Sequence, residues 1–221
     1  FNLLLALESC CVSRLNRERL KIYQDLIEVY ELMLESNVFS VSSKGYMQAN
    51  LFRNIFYTAV VLKRYQWAEE FVNDYYEMLL PEQKLDMYNY TKAILNFERS
   101  QFDTALEFIG KVNHSFFVFK YEARVLMMKI YYELKSFEPA LSLIDSFSHF
   151  LSRNKIVPES FKEPFMSFNR YLKLLIKISA EKNLADRKNL ELFKIQIQKA
   201  EHFISRRWIL EKLEEFVSKS K

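Results

Sequence analysis

Apolar residues recur along this chain at steps of three and four, the spacing of one face of an α-helix. Leu20, Tyr23, Ile27, Tyr30 and Leu34 form one such stripe, and Leu51, Ile55, Thr58, Ala59 and Leu62 form another. Further stripes run through 88–97, 118–134 and 165–178, so helices are predicted over nearly the whole length. Short polar breaks separate them at 35–43, 80–83, 99–101, 135–136 and 153–158. Pro81, Pro158 and Pro164 fall in or just beyond these breaks, where a helix can begin or end. Pro139 falls in the first turn of its helix, where a missing N–H removes no hydrogen bond. Residues 1–36 are predicted as a leading helix pair with a turn near 14–17. Three more helices are predicted at about 159–182, 186–203 and 206–219, with Asp186 as the N-cap of the second. The last is strongly amphipathic and suited to cap the open end of a helical stack.

The alternation of helix and break contains an internal repeat. Three segments align: Leu62-Lys-Arg-Tyr-Gln-Trp-Ala68-Glu, Phe97-Glu-Arg-Ser-Gln-Phe-Asp-Thr-Ala105-Leu and Tyr132-Glu-Leu-Lys-Ser-Phe-Glu-Pro-Ala140-Leu. Each has an apolar helix end, a few polar residues, an aromatic (Tyr65, Phe102, Phe137), two more residues and an alanine. The alanines stand 37 and 35 residues apart. An alanine at this point leaves room for two helices of a hairpin to cross closely, and the aromatic three residues earlier plugs the turn.

This pattern resembles degenerate tetratricopeptide repeats, which have a period of about 34 residues and a characteristic alanine early in the second helix. The resemblance covers roughly residues 44–153. It implies an all-α fold, a right-handed α-α superhelix (a TPR-like solenoid) of antiparallel helix hairpins. The chain then reads as a single helical-repeat domain over 1–221, with a leading helix pair in 1–43, repeats in 44–153 and capping helices in 154–221. The first helices carry Phe52, Ile55 and Ala59, then Asn89, Lys92, Ala93 and Asn96, then Met127, Met128 and Tyr131. The second helices carry Val72 and Tyr75, Ile109 and Val112, and Ile144 and Phe147. Departures include Phe56 and Met128 where the family has a small residue, and Phe52, Asn89 and Arg124 at its tryptophan-like position. A four-helix bundle is the alternative architecture, and the alanine register argues against it.

In tetratricopeptide proteins the first helices of successive repeats line a concave groove where partner peptides dock. The resemblance implies groove positions at Asn50, Arg53, Tyr57 and Val60, then Met87, Tyr90, Ile94 and Phe97, then Glu122, Val125, Lys129 and Tyr132. The alternative is that Tyr57, Tyr90 and Tyr132 pack against neighbouring helices. The family's lysine–asparagine clamp for a C-terminal carboxylate is not reproduced. Arg53 stands at one of its positions, but Tyr57 replaces the asparagine.

Composition agrees with helices. Only two glycines, Gly45 and Gly110, occur in 221 residues, too few for the turns of a β-rich or α/β fold. Half the residues are apolar, and the 20 Phe and 13 Tyr are read chiefly as bulky packing between helices. Two glycines also exclude a phosphate-cradling loop or a dinucleotide fingerprint. His114, His149 and His202 lack the spacing of di-iron or helical zinc sites. Cys10 and Cys11 are neighbours and so poor disulfide partners, and they are read as small buried hydrophobes. Glu69 with Glu70, and Glu214 with Glu215, read as solvated faces. No catalytic, metal or cofactor site is therefore expected, and a non-catalytic protein-interaction scaffold is the leading expectation.

Charge adds a rival. From Lys162 onward fourteen Lys and Arg stand against eight Asp and Glu, while the rest of the chain holds eighteen against twenty. Arg170, Lys173, Lys177, Lys182, Arg187, Lys188, Lys194, Lys199, Arg206 and Arg207 supply a C-terminal basic stripe. Such a stripe suits nucleic-acid phosphates, against the plainer reading of a solvated helix surface. A third reading is the repeat portion of a larger regulator, since the chain opens at Phe1 rather than Met, as a fragment or processed product would. Apolar solenoid surface also suits a homodimer. No segment has the length of a membrane span, and a cytoplasmic, reducing location is expected from two thiols without a disulfide framework.

Overall fold

The computed structural model describes residues 19–38, 45–113, 117–180, 187–200 and 203–219. Cys10, Cys11, the leading helix with its turn at 14–17, His114, Asp186 and His202 lie outside them. Regular structure among the described residues is helical, apart from a single bridge residue, Met47; its N–H donates to the Met78 carbonyl at 2.8 Å.

The chain divides into two compact units, Phe1–Ser115 and Phe116–Lys221, at the boundary between the second and third predicted hairpins. The first unit contains α1 (Arg19–Glu35), α2 (Ala49–Val61), α3 (Tyr65–Tyr75), a 3-10 turn (Tyr76–Met78), α4 (Pro81–Glu98) and α5 (Phe102–Gly110). Here α2 packs on α1, α3 and α4, and α4 packs on α3 and α5. The second unit contains α6 (Phe117–Glu133), α7 (Phe137–Arg153), α8 (Glu159–Ala180), α9 (Arg187–Lys199) and α10 (Arg206–Lys219). In it α7 and α8 pack on each other and on α6, and α10 packs on α8 and α9.

One turn recurs at the α2/α3, α4/α5 and α6/α7 junctions. Lys63, Ser100 and Lys135 each adopt the left-handed conformation, at φ 59°, 60° and 59°. Their N–H groups donate to Val60, Phe97 and Tyr132, and the next N–H groups reach back five residues to Ala59, Asn96 and Tyr131, at 2.8–3.1 Å. This two-bond closure satisfies carbonyls that a helix end leaves orphaned. The following residues, Arg64, Gln101 and Ser136, share ψ values of 56°, 67° and 68° and launch the next helix. Four residues on, the N–H of Ala68, Ala105 or Ala140 makes the first bond of that helix, and each alanine is fully buried. At two junctions the aromatic three residues earlier packs on the end of the preceding helix, Phe102 meeting Phe97 edge-on at 5.5 Å and Phe137 lying 5.9 Å from Tyr132. Tyr65 instead donates its hydroxyl to Glu98 of α4 at 3.3 Å.

Each unit has an aromatic-rich interior. Tyr30, Phe52, Phe56, Phe71 and Tyr90 are buried in the first. In the second, Tyr121 has the rings of Phe147, Phe150, Phe161 and Phe165 within 5.3–5.8 Å. Burial of each such side chain stabilises by about 1.5–3 kcal/mol. Two prolines stand near helix starts. Pro81 opens α4, using the first-turn tolerance for a missing N–H. Pro164 lies inside α8, past the first turn of a helix that begins at Glu159. Its carbonyl accepts from the Ile204 N–H at 3.4 Å.

Candidate partner-binding surfaces

The expected groove positions divide sharply by accessibility. In the first unit Asn50 is exposed and Arg53 and Tyr57 are half-buried, whereas Val60, Met87, Tyr90, Ile94 and Phe97 are buried. The Tyr57 and Tyr90 hydroxyls approach to 3.4 Å, and the Arg53 guanidinium lies 5.5 Å from the centre of the Tyr57 ring. The open part of this face is therefore a strip on α2. Val61, 38% exposed, continues it one turn beyond Tyr57, a position that the register assigned to its buried neighbour Val60. In the second unit Val125 and Tyr132 are buried, and Glu122 and Lys129 are half-buried. All four positions on α4 are covered, but only two of four on α6 and one of four on α2, so Tyr90 and Tyr132 serve as packing residues.

Tyr132 is engaged on several sides. Its hydroxyl lies 2.9 Å from Ser179 Oγ on α8, and its ring meets Trp208 of α10 edge-on at 5.3 Å. Burial raises the pKa of its phenol. The Trp208 indole N–H donates to Glu133 at 3.0 Å, and Lys212 pairs with Glu133 at 3.0 Å and with Glu215 at 2.8 Å. Burial works against the Lys212 charge, but the bonds to Glu215 and Glu133 outweigh it and the pKa is raised. The expected capping helix α10 is thus pinned to the end of α6.

Glu69 and Glu70, read from sequence as one solvated pair, have separate environments. Glu69 accepts from Lys92 and from Arg99, both at 2.7 Å, so hydrogen bonds from these cations hold its carboxyl below the usual carboxylate range. Glu70 instead lines a shallow cleft of about 250 Å³ between α1 and α3, with Glu31, Glu35 and Asp74. The cleft floor is a ladder of Trp67, Phe71 and Tyr75, stacked at 5.7 and 5.3 Å. Its sequence signal was present, since aromatics at 67, 71 and 75 and acids at 70 and 74 each repeat every four residues. Arg64 already serves this surface, pairing with Glu31 at 2.7 Å and lying 5.3 Å from the Trp67 ring centre.

The C-terminal basic stripe is interleaved with acids. Lys173 pairs with Asp145 at 2.9 Å, Lys194 with Glu214 at 3.1 Å, and Arg207 with Glu211 at 2.7 Å. Arg206 donates to the Ile197 carbonyl at 3.1 Å. Arg170 and Lys199 border a cleft of about 1080 Å³ between α8 and α9, which Glu163 also lines. Lys182 and the side chains of Arg187 and Lys188 lie outside the description.

Among the described residues no group of three or more His, Cys, Asp and Glu could hold a metal ion, and no helix is long and apolar enough to cross a membrane. Compared with protein-family models, with curated proteins and with solved structures, the chain matches none.

Proposed function

We propose that this protein is a non-catalytic interaction scaffold, built of tetratricopeptide-like hairpins, that holds a peptide or helix of another protein. The observation that carries this reading is the thrice-repeated junction, with its left-handed residue and an alanine five positions later. Equivalent junctions at near-constant spacing favour a stack of like hairpins, a form that contributes extended surface for recognition. On that surface the strip Asn50, Arg53, Tyr57 and Val61 offers an amide, a cation, an aromatic and an aliphatic group along one side of α2. Aromatic and arginine side chains are enriched among residues that dominate binding energy.

The nucleic-acid reading is disfavoured, because Lys173, Lys194 and Arg207 already have carboxylate partners. Affinity capture from native extract at low and moderate salt, with bound protein and nucleic acid both quantified, tests the choice. The expected result is a salt-resistant protein partner whose recovery drops at least about tenfold for the double variant Arg53→Glu, Tyr57→Ala. The helical circular dichroism should be unchanged. Equal recovery by that variant refutes the strip. Nucleic acid alone, eluting as salt rises, refutes the scaffold reading.

A further inference from the structure

At the end of the α6/α7 hairpin lies a cleft of about 740 Å³, lined by Ser146, His149, Phe150, Arg153, Asn154 and Ile156. Ser146, His149, Phe150 and Arg153 follow one face of α7, while Asn154 and Ile156 belong to the connection into α8. Ile156 is 93% exposed, the most exposed large hydrophobic residue among those described. Its backbone is nevertheless held, because its N–H donates to Asn154 Oδ1 at 3.1 Å and the Asn154 N–H returns to Phe150. With the half-buried Phe150, Ile156 gives the cleft an aliphatic and an aromatic wall side by side.

Around this cleft positive charge is left uncompensated. Lys120 Nζ and the Arg124 guanidinium each lie 5.1 Å from the Phe150 ring centre, and Arg124 lies 5.3 Å from that of Phe147. Among the described residues no carboxylate pairs with Lys120, Arg124, Arg153 or Lys155, whereas Lys162, Lys173, Lys194, Arg207 and Lys212 of the same unit are all paired. Of the acids that flank Arg153 and Lys155 in sequence, Asp145 is taken up by Lys173 and Glu159 by Lys162. Arg124 is half-buried, and this desolvation lowers its pKa, an environment in which an incoming anion is favoured.

We infer that this cleft binds an acidic peptide segment, with an apolar side chain seated against Phe150 and Ile156 and carboxylates directed at the surrounding cations. The site is separate from the α2 strip and stands whether or not that strip binds. Its chemistry discriminates between anionic partners. The cleft walls are largely apolar, and a phosphodiester backbone has no group to fill them. A flat anionic bilayer meets Ile156 but leaves the concave part empty. An acidic peptide satisfies the apolar walls and the cationic rim together.

Fluorescence anisotropy of the full chain tests this with a labelled peptide of two Glu-Asp-Phe-Glu-Asp-Leu repeats. The comparison probes are the same peptide with lysine at every acidic position, single-stranded oligothymidine, and phosphatidylserine/phosphatidylcholine vesicles. The acidic peptide should bind saturably and most tightly. The triple variant Arg153→Ser, Lys155→Ser, Ile156→Ser alters only exposed side chains and should weaken it by about tenfold or more. Arg124→Gln should weaken it several-fold. Absence of saturable binding, equal affinity for the lysine peptide, tighter binding of oligothymidine or vesicles, or an unaffected triple variant would each overturn the inference.

Discussion

Ser100→Gly should stabilise the protein, although glycine in a helical protein is usually a liability. Ser100 holds φ at 60° between α4 and α5. An L-residue in that conformation is disfavoured by roughly 1–2 kcal/mol, because its Cβ crowds the following carbonyl. Glycine removes the crowding but gives the unfolded chain more freedom, which opposes the gain by about 0.5–1 kcal/mol. The side chain of Ser100 is exposed and no bond of it is described, so little else is lost. The balance is a gain of about 0.5–1 kcal/mol. With a urea slope near 2 kcal/mol/M, the unfolding midpoint should rise by roughly 0.3–0.5 M. Glu107→Gly is the matched control. Glu107 is exposed in the body of α5, seven residues along the same hairpin, where the backbone is right-handed and glycine should destabilise by about 0.5–1 kcal/mol. Urea unfolding followed by circular dichroism reads both. If both variants shift the midpoint downward, the left-handed turn does not govern this junction in solution and the argument fails.

Trp208→Ala should cost about 3–5 kcal/mol, because it removes a nearly buried indole and its contact with Tyr132. Trp208→Phe keeps a ring there and should lose only about 1.5–3 kcal/mol, for the N–H bond to ionised Glu133; thermal unfolding that shows under 1 kcal/mol for the alanine variant would contradict the docking of α10. Glu69→Gln should lower stability at neutral pH, since Lys92 and Arg99 favour the charged carboxylate in the folded state. A depressed folded pKa means that this contribution is full above the unfolded value of about 4.3 and fades as pH falls through the folded one. Melts of both proteins should therefore differ from pH 5 to 8 and converge toward pH 3, and a difference that grows in acid would reverse the assignment.

The helices and their junctions were legible because they depend on local chemistry. Three- and four-residue apolar spacing locates α2, α4, α6 and α8, and the aromatic-to-alanine pattern locates the three turns to the residue. The left-handed conformation at Lys63, Ser100 and Lys135 had no such signal, since the glycine that normally marks it is missing. Pro164 shows the converse, a strong local breaker accommodated inside α8. The expected groove positions were legible only as faces of single helices. Spacing aligned Asn50, Arg53 and Tyr57 with one another, and Met87, Tyr90, Ile94 and Phe97 likewise, but periodicity within one helix does not tell which face a neighbour covers.

The all-helical class and the hairpin junctions thus follow from the sequence alone, because each rests on interactions among residues a few positions apart. Which side chains remain accessible was decided only by tertiary packing. Tyr90 is buried against its surroundings while Tyr57 stays half open, Glu69 pairs with two cations while Glu70 faces a cleft, and Lys173 is neutralised while Lys120 and Arg124 rest on Phe150. Such differences arise from contacts between residues distant in the chain, and identical residue types acquire opposite roles through them.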